Sequence, residues 1–311
     1  MGAHCLFNVL RRKPYAAKRA GVVCTPRGCA IASILRVSGG RPVLESYLSV
    51  PGSAAVQQTA IATWIAANAQ AYGAIGSVLA PDDYELLLVE SPEVLPAELK
   101  AAVGWRLKGA ISFPVADAVI DVFDIPEQRR RSGTKMMYAI AAKRQAIDYH
   151  TSLLKSAGSR FDVIDIPELA LRNLAAVQPE AAEGLMLLWL DGDAAQVLVV
   201  KQGTLYLARR TPCAQGADTG VADAEAVALE LQRSMDYFES HYEQPPLTHL
   251  IIAPHDAYAT RLALALAGET SMRIQTLDLG RSLDLSPGLE PTDHCSLLAI
   301  GAALRADQQR L

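Results

Sequence analysis

The chain has 311 residues, long enough for two domains with separate cores. Half of the residues are hydrophobic and a fifth are charged, an ordinary globular balance. No apolar run reaches the ~18 residues of a membrane span, and the net charge of −4 argues against a nucleic-acid partner. That charge is uneven. Arg11, Arg12, Lys13, Lys18 and Arg19 stand in the first twenty residues with no acid among them, so that stretch is +5 and the rest −9. Residues 1–20 are therefore expected to be a flexible basic tail. With Leu6, Phe7, Val9 and Leu10, the tail offers weak contact to an anionic membrane surface. It has no extended apolar core, so no secretory leader is expected. Cys5, Cys24, Cys29, Cys213 and Cys295 are odd in number and match no zinc spacing, which fits free thiols in a reducing, cytoplasmic compartment.

Along the chain, β-type runs at 22–24, 29–37 and 43–50 predict a three-stranded meander broken by Pro26-Arg27-Gly28 and Ser38-Gly39-Gly40. A helix follows over 55–72, with Ile61, Trp64, Ile65 and Tyr72 on one face, and then a strand at 77–79. Next comes an inserted α+β unit over about 85–157. Leu86 to Val89 reads as a strand, Pro96 opens a helix, and Val119 to Phe123 is a second strand. A polar turn at 128–133 leads to a strand at 135–142 and a helix at 143–156. In the first of these helices Leu99, Val103 and Leu107 form the apolar stripe, and Trp105 falls opposite it. That face either packs on a neighbouring domain or docks another protein. A strand at 161–166 and a helix at 167–176 lead to a boundary at Gln178-Pro179-Glu180.

The second half repeats the first: strands at 185–190, 196–200 and 204–208, with a hairpin at Lys201-Gln202-Gly203. A long helix over 222–242, a strand at 247–253, a helix at 258–266 and a strand at 272–277 follow. A loop over 282–293 and a last helix over 296–305 complete it. The order predicts an α/β fold: a duplicated actin-like (ribonuclease H-like/Hsp70-actin) architecture with an inserted small α+β subdomain. The first half spans 21–180, the second 181–294, and residues 295–311 return to the first half. Such folds hold ATP-Mg between their halves, on turns between the first two strands of each.

Three stretches, ELKAAVGWRLKGAISFPVADAVIDVFDIP, ELQRSMDYFESHY and LLAIGAALR, carry a resemblance to the PilM family of type IV pilus biogenesis proteins, and within it to the MshI branch of MSHA pilus systems. The resemblance implies a cytoplasmic scaffold at the inner membrane. It would grip the N-terminal cytoplasmic peptide of a PilN-like bitopic protein in a groove beside the inserted unit and link it to the pilus motor ATPase. Leu87, Val89, Trp105 and Ile111 are the expected partner-binding residues, as apolar strand ends and an unmatched aromatic.

The phosphate turns depart from the parent pattern of Asp-x-Gly. The first reads Val22-Val23-Cys24-Thr25-Pro26-Arg27-Gly28-Cys29, without Asp and with one N–H removed by proline. In the second, Leu190 stands at the Asp position and Gln196 at the Thr position. Gly192 survives between Asp191 and Asp193, which repel a polyphosphate unless they form a bare Mg site. The adenosine turn is Pro254-His255. Arg27, Gly192, Asp193 and Gly301 are the degenerate nucleotide positions. No cofactor, metal or catalytic residue is expected. The alternative is an actin-like ATPase or small-molecule kinase with an altered ATP-Mg site. HExxH, G-x-S-x-G and Walker A patterns are missing. Asp121, Asp124, Asp162 and Asp165 read as the solvent faces of half-buried strands.

Overall fold

The computed structural model describes residues 18–26, 28–68, 72–125, 135–155, 161–213, 220–291 and 293–306. The polar turn expected at 128–133 lies outside them, as do Arg27 and the first 17 residues.

Strands β1 (Lys18–Thr25), β2 (Gly28–Leu35) and β3 (Val43–Pro51) form the meander, followed by helix α1 (Ala54–Asn68) and strand β4 (Ala74–Val78). The insert contains β5 (Tyr84–Glu90), α2 (Leu99–Leu107), β6 (Ala118–Asp124), β7 (Met136–Lys143) and α3 (Arg144–Lys155). The first half resumes with β8 (Val163–Asp165) and α4 (Pro167–Ala176). The second half holds β9 (Leu185–Asp191), β10 (Ala194–Lys201), β11 (Thr204–Pro212), α5 (Gly220–Tyr242), β12 (His249–Ala253), α6 (Ala257–Leu266) and β13 (Arg273–Thr276). A two-residue strand β14 (Asp284–Leu285) and helix α7 (His294–Ala303) complete the order.

The sheets run β14-β3-β2-β1-β4-β8 in the first half, β11-β10-β9-β12-β13 in the second, and β5-β7-β6 in the insert. In both halves an antiparallel meander is continued by parallel strands, β4 beside β1 and β12 beside β9. β9 is buried on both faces, which is why it reads Leu-Met-Leu-Leu-Trp-Leu without alternation. Positive φ at Gln202 (50°) and Gly203 (75°) makes the two-residue turn expected between β10 and β11.

Lys18 and Arg19, expected in the basic tail, belong to a strand. β1 begins at Lys18, whose ammonium pairs with Glu45 at 2.9 Å, and Arg19 is buried. A strand that starts with two cations looks like solvated chain until β3, two places along the sheet, supplies the acid. The loop after β13 is also more ordered than expected. Arg41 donates to the carbonyls of Gly280 and Leu283, and this draws β14 alongside β3.

α4 and α7 cross at the base of the cleft between the halves, inside the largest hydrophobic core. A Cβ on Gly301 of α7 would lie 2.3 Å from the Ala170 carbonyl oxygen of α4. Gly301 is therefore required by a helix crossing, and the side chain of Asn173 donates to its carbonyl at 2.9 Å.

On the other face of the first sheet, Ser77 of β4 and His150 Nδ1 of α3 are 2.6 Å apart and both buried. Burial lowers the His150 pKa to about 4. The folded state thus binds fewer protons than the unfolded chain between pH 4 and ~6.5. Stability is lost as pH falls through that window, by about 3 kcal/mol for this group. Urea melts at pH 7 and pH 4.5 should show the loss in the wild type and a smaller one in His150→Gln.

Candidate functional site

The turns that hold phosphate in actin-like folds meet at the interlobe cleft. At the β1–β2 turn, Thr25 Oγ1 donates to the Gly28 carbonyl at 3.1 Å and lies 3.5 Å from Cys295 Sγ of α7. Gly28 packs against β3, where an added Cβ would meet the Val50 carbonyl oxygen at 2.8 Å. Its lack of a side chain is thus accounted for by the sheet. At the β9–β10 turn, Gly192 (φ 63°) and Asp193 make a tight hairpin, and the Asp193 carbonyl accepts the Cys213 N–H at 2.8 Å. His294 Nε2 lies 2.5 Å from the Leu190 carbonyl oxygen, and the ring meets Trp189 edge-on. The first turn of α7 therefore touches both turns, with His294 on one and Cys295 on the other. At the third turn Asp256 caps α6 by accepting the Ala259 N–H at 2.7 Å, beside an exposed His255. Gly192 and Asp193 thus share a turn, whereas Gly301 stands apart at the α4–α7 crossing.

Gln196 has a role that the sequence did not reveal. Its amide donates at 2.7 Å to Glu168 Oε1, on the first turn of α4, while Tyr84 Oη donates to Glu168 Oε2 at 2.6 Å. Glu168 is only 5% exposed, and burial pushes its carboxyl pKa up. The three side chains join the root of the insert, the first half and the second half. They line a pocket of about 240 Å³ with Trp189 and Arg210. Each oxygen of the carboxylate thus accepts one hydrogen bond from within the chain. An acid in a first helical turn is so common that Pro167-Glu168 carried no distinguishing signal.

A second and larger concavity lies between the insert and the first half. It has a volume of about 1200 Å³. Its long walls are β6, an edge of the insert sheet, and β8, an edge of the first-half sheet. The apolar lining includes Val119, Phe123 and Ile147 from the insert and Val163 and Ile164 from β8. The β10–β11 hairpin and the end of α7 close it. Edge strands present unpaired backbone N–H and C=O groups, so a groove between two of them suits an extended peptide. Charges on its rim are largely paired within the chain: Lys100 with Asp121 at 2.8 Å and Lys135 with Asp124 at 2.7 Å. Asp162 Oδ2 accepts the Ile75 N–H at 2.8 Å. Asp165 departs from the expected solvent face. It is 4% exposed and bound to Arg305 at 2.5 Å.

The four residues expected to form the partner wall do not line this groove together. Leu87, Val89 and Ile111 are partly buried against Val103 and Leu107, in the insert's own core beneath α2. The period of two on β5 decides this, sending Leu87 and Val89 to the α2 side and Leu86 to the body. Trp105 points away from that core and is 76% exposed, so among the described residues it packs on no neighbouring domain. The groove-lining residues sit on short edge strands whose apolar content reads as ordinary core.

Among the described residues no helix is long and apolar enough to cross a membrane. No protein-family model matches the sequence, and no curated protein matches it. The backbone is similar to a chain of the PilM-PilN type IV pilus biogenesis complex. The TM-score is 0.64 at 16% identity, with 94% of this chain and 98% of that one covered. It is similar to the cytoplasmic domain of EpsL, an inner membrane component of the type II secretion system of Vibrio cholerae, with TM-score 0.50, 16% identity and coverage of 93% and 96%. A Bacteroides thetaiotaomicron protein with an actin-like ATPase fold matches with TM-score 0.50 and 8% identity, covering 87% of this chain and 93% of its own. The chain has the actin-like fold, with α4 and α7 crossing between its duplicated halves and a small α+β unit inserted in the first.

Proposed function

We propose that the chain is a non-catalytic scaffold of a type IV pilus assembly complex of the MSHA type. It works at the cytoplasmic face of the inner membrane, and its groove takes the N-terminal cytoplasmic peptide of a PilN-like bitopic protein. The observation that carries this reading is the groove of about 1200 Å³ between the edge strands β6 and β8. The likeness in backbone to a chain of the PilM-PilN complex, and to a cytoplasmic domain of an inner-membrane secretion component, supports the choice of partner. The proposal assigns no nucleotide turnover and no resident cofactor. His294 and Cys295 occupy the two turns, and Gln196, at the usual Thr position of the second, is bound to Glu168. The pilus motor ATPase is the further partner of the assembled complex.

Val119 and Val163 line the groove from opposite walls, and both are only partly buried. In polarisation titrations of the labelled partner peptide, Val119→Asp and Val163→Asp should each weaken binding by tenfold or more, about 1.4 kcal/mol. Circular dichroism should stay unchanged. Wild-type affinity in both variants would remove the groove from the account.

A further inference from the structure

Among the described residues the outer face of α2 has no partner. Leu95, Glu98, Ala101, Trp105 and Lys108 are all exposed, the leucine by 68% and the tryptophan by 76%. From Glu98 onward they recur at spacings of three, four and three, so they form one stripe along the helix. The other cations of the helix are committed, Lys100 to Asp121 at 2.8 Å and Arg106 to Glu90 at 3.3 Å. Neither Glu98 nor Lys108 has an ion-pair partner among the described residues, and the Lys108 ammonium rests 5.9 Å from the centre of the Trp105 ring. The stripe thus has an acid at its N-terminal end, a base at its C-terminal end, and a small and a large apolar residue between them.

That pattern is complementary to itself when reversed. In an antiparallel pair centred on Val103, Glu98 of each copy faces Lys108 of the other, and each Trp105 faces the other's Ala101. The two-fold repeats every contact, as an isologous interface requires, and the opposed helix dipoles are aligned favourably. We propose that α2 is a homodimer interface, on which a second copy of this chain docks antiparallel through Trp105 and the Glu98–Lys108 pair. Tryptophan supplies the affinity. The exposed ion pairs set register and add little strength. One short helix buries an area at the low end for specific interfaces, so the dimer is weak and depends on concentration. The inference does not rest on the groove or on the identity of the peptide.

Sedimentation velocity on the full chain, from low to high micromolar, tests it. The wild type should move from 33.3 kDa toward twice that mass. Trp105→Ala should raise the dissociation constant at least tenfold. Glu98→Lys and Lys108→Glu, each alone, should weaken self-association, because like charges then meet twice. An equimolar mixture of the two should recover the dimer, since each ion pair is restored across the interface. Circular dichroism checks that these exposed substitutions leave the fold intact. A wild type that stays at the monomer mass overturns the proposal and leaves the stripe to a different protein. A dimer indifferent to Trp105→Ala, or charge variants that gain nothing on mixing, also overturns it.

Discussion

Gly301→Val should remove about 4 kcal/mol of stability by overpacking a buried helix crossing. Its Cβ would stand 2.3 Å from the Ala170 carbonyl oxygen and 2.8 Å from the Ala170 carbonyl carbon. These are backbone atoms of another helix and cannot swing aside. Retreat in the other direction is blocked as well. A Cβ on Gly21 of β1 would be only 2.0 Å from the Ala299 oxygen of α7, so α7 already lies in close contact with the sheet. Overpacking costs about 1–3 kcal/mol where side chains can adjust, and more where a backbone must move. About 4 kcal/mol is the expected loss here, against a total of ~5–15 kcal/mol for a native domain. The control is Gly268→Ala, where an added Cβ meets nothing within 4 Å. It should change stability by less than about 0.5 kcal/mol. Urea melts of the two variants read the difference. Equal midpoints would mean that the crossing is looser than described.

Arg305→Ala should cost about 3–5 kcal/mol, because it strands a buried carboxylate. Asp165 is at the end of the edge strand β8, 4% exposed, and takes its hydrogen bond from Arg305 at 2.5 Å. Burial already raises its carboxyl pKa, and the Arg305 charge is the main influence holding it down. Without that charge the folded pKa rises further above the unfolded value. Stability carried by a raised carboxyl is present at low pH and lost as pH rises through the folded pKa. The deficit of Arg305→Ala relative to wild type should therefore shrink between pH 7 and pH 5. The double variant Arg305→Ala/Asp165→Asn should recover part of it at pH 7, as denaturant midpoints would register. A deficit that does not change with pH would mean that lost packing of the arginine stem, and not the stranded charge, sets the cost.

Legibility in the sequence followed the physics of each element. Where one residue type has one use, the reading was direct. Pro167 starts α4, and Gln202-Gly203 turns between β10 and β11. The unbroken apolar run of β9 marks a strand covered on both faces. Trp105 was correctly placed opposite the α2 stripe, since Val103 and Leu107 are buried and the indole is not. What failed depends on partners distant in sequence. β14 is two residues long and exists because Arg41 holds the chain beside β3. Asp165 looked like a solvent-face acid until Arg305, 140 residues away, was brought beside it. Gly301 is expected at a nucleotide position, and the sequence does not show that the helix crossing also requires it. Glu168 and Gln196 could not be paired in advance, because nothing local ties a helix start in one half to a strand in the other. The groove was expected beside the insert on grounds of resemblance. Its lining residues are other than the four expected, because an edge strand facing a groove and an edge strand facing core have the same composition.

In the proposed scaffold the groove beside the insert takes the peptide, while the cleft between the halves keeps its shape without nucleotide. Hydrogen-exchange mass spectrometry on the full chain, alone, with the partner's N-terminal peptide and with Mg-ATP, tests it most directly. The account predicts slower exchange over 118–124 and 163–166 with peptide, and no change at 22–29 and 190–196 with Mg-ATP. Protection of those two turns by Mg-ATP, with the edge strands β6 and β8 unaffected by peptide, would contradict it.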